Sequence, residues 1–315
     1  MQYTTLGRTN LNVSVIGLGC GGPSRLGQQG QELDDSAVDQ NSINLVRQAL
    51  DAGVNFIDTA EAYRTEQFVG EGMKGYDRSQ IVISTKKSCR AETTVKDMED
   101  ALEASLRRLN TDYIDIYNLH GVKPKHYAKD RDKFVPTLQR FQQEGKIRFL
   151  GITEHFNTDL DHLMLKAALA DGLWDVVMVG FNVLQQSARE DVFGTTITDN
   201  VGTQIMFAVR RALSRPDKLK EAVQQLVELG QLDPTEIDVN NPLGFLVNEG
   251  HAISIVDAAY RFCRDEPGAH VILSGTGNPT HLAANIKSLN APPLPDDVTA
   301  RLRHIFRHAT AVTGE

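Results

Sequence analysis

The chain has 315 residues, 41% of them hydrophobic, with 41 acidic against 33 basic side chains and a formal net charge of −8. That length admits two domains, but α/β barrels of this size commonly form one, and the apolar content supports a sizeable core. The acidic balance argues against a nucleic-acid or anionic-membrane partner, which would need a basic face.

Residues 3–13 alternate around Gly7-Arg8-Thr9-Asn10, which predicts a small hairpin. A first strong strand, Val13–Gly19, runs into Gly19-Cys20-Gly21-Gly22, and Pro23–Asp35 reads as a polar loop. The spacing of Val38, Ile43, Val46, Ala49 and Leu50 predicts a helix over 36–51. Strand and helix then alternate. Strands are expected at 54–58, 81–86, 113–120, 147–153, 175–182, 204–209 and 270–274. Helices are expected at 66–74, 94–109, 134–144 and 160–170, with Gly145 and Gly172 as terminators. Some sixty residues separate the seventh strand from the eighth. They hold an amphipathic helix, Lys218–Leu229, and a loop, Asp233–Leu246; a connection this long is usually functional or carries structure of its own.

Eight short β-rich runs separated by amphipathic helices imply parallel strands with crossovers. The expected fold is a single-domain (β/α)8 TIM barrel over 1–315, with an N-terminal β-hairpin and a long insertion between strands 7 and 8. Cys20, Cys89 and Cys263 have neither metal-ligand spacing nor the number for a disulfide framework, so no metal and a reducing compartment are expected. The N terminus lacks the regions of a signal peptide, and no apolar run reaches transmembrane length, so a soluble cytoplasmic protein is expected.

Three successive strands end on chemistry. The first stops on Asp58, the next on Lys86 and the third on His120, and Tyr63 follows five residues after Asp58. A carboxylate at the end of a buried strand is costly unless a cation meets it, and Lys86 is the candidate. Reacting groups of such barrels stand where strands end, so all four converge at one rim. Tyrosine has a reference pKa of ~10 and is a poor acid near neutrality. A nearby ammonium is expected to lower that value, with the carboxylate holding the ammonium charged. The imidazole can orient a carbonyl. Such a site suits carbonyl reduction, with a nicotinamide supplying the hydride that side chains cannot.

On these residues the chain resembles the aldo-keto reductases over nearly its whole length. Tyr3–Gly19 is similar to the family's opening, and Asp58-Thr59-Ala60-Glu61-Ala62-Tyr63 resembles its Asp-x-Ala-x-x-Tyr signature. Thr85-Lys86 and Leu119-His120 match the remaining catalytic pair. The resemblance implies NADPH bound in an extended pose over the barrel mouth, and a small-molecule carbonyl substrate. It implies that Gly19, Cys20 and Asp58 lie near the nicotinamide ribose. It places Thr153 and Glu154 where a Ser-Asn pair usually holds the carboxamide, and Phe207, followed by Ala208, where an aromatic ring stacks on the nicotinamide. Gly275, Thr276, Gly277, His281 and Asn285 resemble the clamp on the adenosine phosphate and adenine. Met178 replaces a usual glutamine, Gly275 a usual lysine and His281 a usual arginine. A neutral histidine grips phosphate less firmly than a guanidinium, so NADH stays open beside NADPH. Arg210 and Arg211 are expected to supply positive charge near the pyrophosphate.

Plainer readings accompany these. Asp58 with Lys86 alone reads equally as a structural ion pair, Phe207 as core and Arg210-Arg211 as solvated charge. Lys87 reads as a solvated charge pointing away from the barrel axis. Glu154 and His155 read also as a capping pair for a helix at Thr158. His251, His304 and His308 read as surface residues, and Cys20 lacks an activating base. The rival function is an NADP(H)-binding regulatory or redox-sensing subunit with little turnover, since some members of the family resemble channel β subunits. Substrate choice is expected in Pro23–Asp35, Gly121–Asp130, Arg210–Leu246 and the tail. Their few aromatics weigh against a flat, steroid-like ligand, and the oligomeric state leaves no trace.

Overall fold

The computed structural model describes residues 1–31 and 39–315. The expected hairpin forms from β1 (Tyr3–Thr5) and β2 (Asn12–Ser14), paired antiparallel. Eight strands follow: β3 (Ile16–Gly19), β4 (Phe56–Asp58), β5 (Val82–Ser88), β6 (Ile114–Val122), β7 (Ile147–Glu154), β8 (Val176–Gly180), β9 (Gly202–Met206) and β10 (Val271–Ser274). Each pairs parallel with its neighbours, and β10 lies between β9 and β3, closing the sheet. The fold is a (β/α)8 barrel.

The hairpin decides which end is open. Its Leu6, Leu11 and Val13 form one buried apolar cluster with Phe56, Val82, Ile116, Val176 and Val271, which sit at the starts of their strands. That cluster stoppers the N-terminal end of the barrel, leaving the C-terminal rim for chemistry. The main core lies between the strands' outer faces and the surrounding helices. Helix Val95–Leu109 shows the sequence logic. Thr94 and Asp97 form a capping box at its start, Met98, Leu102, Leu106 and Leu109 line its buried face, and Asn110 closes it in the left-handed conformation.

Several expected boundaries move. Val13 and Ser14 belong to the hairpin, and the barrel strand begins at Ile16. The expected strand 204–209 runs Gly202–Met206, which leaves Phe207 to Val209 on the loop. The helix expected at 134–144 begins at Tyr127 and passes through Pro136. The helix expected over 36–51 is observed from Gln40, capped by the Asp39 side chain on the Ser42 amide, and residues 32–38 lie outside the described residues. The connection between β9 and β10 contains helices Arg211–Ser214, Pro216–Glu228, Gly244–Asn248 and Ile255–Arg264, so the expected loop 233–246 ends inside a helix. Among the described residues no helix is long and apolar enough to cross a membrane.

Two corrections bear on the site. Lys86 and His120 do not end their strands: β5 continues to Ser88 and β6 to Val122. Lys87, Ser88 and Gly121 carry no strand propensity, so a reading by pattern stops before them. The pairing of β6 with β7 slips between Leu119 and Val122, where the Gly121 amide donates to Thr153 Oγ1 at 2.7 Å. Asp58 does end β4.

Candidate active site

The register stacks the polar residues inside the barrel. Gly19, Asp58 and Ser84 are in line across β3, β4 and β5, and one pleat higher Lys86 pairs with Asn118, then Ser88 with His120. Because side chains alternate along a strand, Ser84, Lys86 and Ser88 share the inward face. Lys86 Nζ donates to Asp58 Oδ1 at 2.6 Å and to the Thr59 carbonyl at 2.8 Å, and the lysine is 1% exposed. Burial acts to lower the lysine's pKa, but Asp58 and Tyr63 outweigh it and hold the ammonium above its ordinary value. Burial pushes the Asp58 carboxyl up against the pull of Lys86.

Tyr63 sits on a single 3-10 turn, Glu61–Tyr63, that follows β4. Its ring reaches over the buried pair, with Lys86 Nζ 5.1 Å from the ring centroid. Tyr63 Oη lies 3.3 Å from His120 Nε2, the two rings meeting edge to face at 5.4 Å. The expectation that Lys86 lowers the phenol holds only as a partial offset: burial raises its pKa above the ordinary value, and Lys86 recovers part of that rise. Burial and Lys86 depress His120 to about 3, so the imidazole is neutral across physiological pH. Ser88 Oγ lies 3.1 Å from its Nδ1. The four side chains expected to converge do converge.

Asp58, Tyr63 and His120 floor a cavity of about 500 Å³ whose lining also includes Gly19, Thr153, Glu154, Met178, Phe207, Arg210, Arg211 and Gly275. Phe207 is held at φ 66°, a left-handed conformation rare for a bulky side chain, and its ring meets Phe156 edge to face at 5.4 Å. The Arg210 guanidinium lies 4.2 Å from the Phe207 ring centroid, and its Nε donates to Glu315 Oε2 at 2.6 Å. Arg211 Nε is 3.9 Å from the same carboxylate. Arg210 is thus paired at the rim, whereas Arg211 stays exposed. Asn182 donates to the Phe207 and Thr313 carbonyls, which fixes the last residues against the mouth.

Other expected residues lie off the cavity lining. Lys86 is sealed beneath Tyr63. The Cys20 thiol is fully buried and pushed up by burial, while its backbone amide donates to the Asp58 carbonyl at 2.8 Å. Ala208 is buried beside Phe207. Thr276 and Gly277 follow β10, and Asn278 caps helix Pro279–Asn290 by accepting from the Thr280 and His281 amides. His281 is exposed on that first turn, and the Asn285 amide donates to Ser274 Oγ at 2.9 Å.

The structure supplies partners that the sequence did not reveal, among them the buried His162. Glu154 does not pair with His155; its Oε2 lies 2.8 Å from Nδ1 of His162, which is fully buried, and its Oε1 accepts the Gly180 amide at 2.7 Å. His155 instead faces Thr158 Oγ1 at 2.9 Å. Lys87 is not merely solvated, since its ammonium meets Glu61 Oε2 at 2.7 Å. Gly21 carries a steric constraint at the site: a Cβ there would fall 2.3 Å from Tyr63 Cε2. The glycine run was visible in sequence, but nothing local said which ring it would face.

A nicotinamide dinucleotide fits this cavity in kind. It offers an aromatic face at Phe207, polar groups at Thr153 and Glu154, two guanidinium groups at one rim and a bare backbone at Gly275. The model of the "Aldo/keto reductase family" matches residues 17–307. The chain is 26% identical over 304 residues to "Aldo-keto reductase YhdN" of Bacillus subtilis (strain 168), covering 90% of this chain and 87% of that protein. It is 24% identical over 318 residues to a "Probable voltage-gated potassium channel subunit beta" of Oryza sativa subsp. japonica, covering 93% of each. The fold superposes on holo "aldo-keto reductase AKR11C1 from Bacillus halodurans" with a TM-score of 0.72, 24% identity and 100% coverage of both chains. The match across 17–307 places the chain in the aldo/keto reductase family, as an NAD(P)H-dependent oxidoreductase.

Proposed function

We propose that this chain reduces an aldehyde or ketone to the alcohol with NADPH, Tyr63 donating the proton to the carbonyl oxygen. One observation carries the reading: Tyr63 Oη and His120 Nε2 stand 3.3 Å apart on the cavity floor, beside the buried Lys86–Asp58 pair. A carbonyl oxygen seated between them would meet both within hydrogen-bond reach. When bound, the nicotinamide supplies the hydride to the carbonyl carbon. Burial keeps the phenol protonated until it is needed, and Lys86 stabilises the phenolate as the proton leaves. Asp58 keeps the ammonium charged and aimed. If Ser88 Oγ–H donates to His120 Nδ1, the other ring nitrogen carries the proton and can donate to substrate.

The cavity lining supports the nicotinamide and pyrophosphate contacts of this reading, and the resemblance supplies those at the adenosine end. Phe207 would stack on the nicotinamide. Thr153 Oγ1 already accepts the Gly121 amide, which leaves its proton for the carboxamide oxygen, and a carboxylate oxygen of Glu154 retains a lone pair for the carboxamide NH2. Arg210 and Arg211 would take the pyrophosphate in exchange for Glu315. Gly275, Thr276, Gly277, His281 and Asn285 would hold the adenosine end, and the whole chain would act as one barrel domain in the cytoplasm. Tyr63→Phe tests the mechanism: it should bind NADPH as the wild type does and lose turnover, and retained full turnover would remove the proposal. NADPH oxidation against a panel of aldehydes separates an enzyme from a regulatory subunit, because a subunit that only binds the cofactor stays silent throughout.

A further inference from the structure

We propose that Arg25 is a positioning residue for Tyr63, clamping the turn that carries the phenol; this rests on Tyr63 being the proton donor. Tyr63 ends a single turn whose chain reverses at once through Arg64, in the left-handed conformation at φ 57°. One turn of 3-10 helix is a weak platform for a group that must be held within tenths of an ångström. The carbonyl at its end is orphaned by the break in helix. Arg25, on the loop after β3, fills that gap with two prongs of its fork: Nε donates to the Tyr63 carbonyl at 3.1 Å and Nη2 at 2.7 Å. A third prong, Nη1, reaches the Gln31 carbonyl at 3.3 Å.

The loop is built to present this guanidinium. Arg25 and Leu26 are consecutive non-glycine residues in the left-handed region, at φ 40° and 54°, a conformation that L side chains disfavour. Other residues anchor the loop. Leu26 is fully buried, its carbonyl accepts from Ser42 Oγ at 2.9 Å, and Gln28 Nε2 donates to the same hydroxyl at 2.9 Å. Those contacts tie the loop to helix Gln40–Asp51 without Arg25. The arginine's own bonds run across the mouth, 38 residues along the chain, to the one backbone carbonyl attached to the reacting phenol. On the other side Gly21, from the same loop, leaves room for the ring. The loop therefore grips Tyr63 at both ends, ring and carbonyl.

The test uses the intact protein, with Arg25→Met removing the fork and Arg25→Lys retaining a donor. Tyrosine labelled with 13C at Cζ reports the phenol directly, and the Tyr63 signal is the one lost in Tyr63→Phe. In Arg25→Met that signal should shift or broaden while the remaining tyrosines stay put. Turnover should fall roughly tenfold or more, as expected for a reacting group displaced by a fraction of an ångström to 1 Å. KM for NADPH should stay within about twofold, and Arg25→Lys should recover part of kcat. An unmoved Tyr63 signal in Arg25→Met overturns the proposal. So does a parallel loss of kcat and NADPH affinity with no recovery in Arg25→Lys. If the wild type reduces nothing in the aldehyde panel yet Arg25→Met still displaces the Tyr63 signal, the reductase reading fails and the clamp stands.

Discussion

Adding one methyl group at Gly21 should cost turnover heavily without touching any reacting group. A Cβ at this position would fall 2.3 Å from Tyr63 Cε2, 2.5 Å from Cζ and 2.6 Å from Cδ2. Carbon atoms in contact sit about 3.5 Å apart or more, so the ring in Gly21→Ala must withdraw by about 1.2 Å or the loop must lift by as much. The Tyr63–His120 separation is 3.3 Å, near the limit of a useful hydrogen bond, so a shift of that size breaks the two-point seat for a carbonyl oxygen. A misplacement of about 1 Å costs on the order of a hundredfold in rate, or about 2.7 kcal/mol in the barrier. The assay is kcat with an aldehyde the wild type reduces, at saturating NADPH, with cofactor affinity measured separately by quenching of its fluorescence. Affinity should change by less than about threefold, since the methyl points at the tyrosine. If Gly21→Ala keeps kcat within about threefold of wild type, the phenol's placement does not limit the reaction and the geometric reasoning is wrong.

Breaking the Lys86–Asp58 pair from one side leaves a buried charge alone, so Asp58→Asn should destabilise the fold by about 3–5 kcal/mol, measured by urea titration. The double variant Asp58→Asn, Lys86→Met should recover much of that stability while remaining inactive; a double variant no more stable than the single would refute the pairing argument. His120, depressed to about 3 in the folded state, should contribute no kcat/KM inflection near pH 6.5, and any that appears should survive His120→Asn. The same depression has a sign for stability. Above pH 6.5 the ring is neutral in both states, and between pH 6.5 and 3 only the unfolded chain binds the proton. Stability should therefore fall on acidification by up to about 1.4 kcal/mol per pH unit from this residue, and His120→Asn should flatten that slope. His281→Arg should tighten NADPH several-fold and leave NADH unchanged, because a guanidinium matches a phosphate in two-point geometry; equal gains for both cofactors would place His281 away from the 2′-phosphate.

Much of the site was legible because barrel topology converts sequence order into proximity. Asp58, Lys86 and His120 needed only to fall near the C-terminal ends of consecutive strands for the closed sheet to gather them at one rim. What pattern reading missed lies in backbone geometry and long-range pairing. It stopped β5 and β6 at Lys86 and His120, because the residues beyond lack strand propensity and are held by the neighbouring ladder. Nothing local ties Glu154 to its partner, His162, which follows after an intervening turn and is itself in the left-handed conformation. The direction of the Tyr63 shift is not legible in sequence either, since the strength of burial at one hydroxyl is not a property of its neighbours along the chain.

The order of the barrel strands, the N-terminal hairpin and the residue types available for proton transfer are written in the sequence, because periodicity, caps and apolar runs act over a few residues. Only the closed tertiary structure decided that Glu315 faces Arg210, that Phe207 adopts a left-handed backbone, and that Gly21 and Arg25 hold Tyr63 from two sides. Those contacts join segments tens to a hundred residues apart, and their distances depend on how every strand tilts and every loop packs around the barrel.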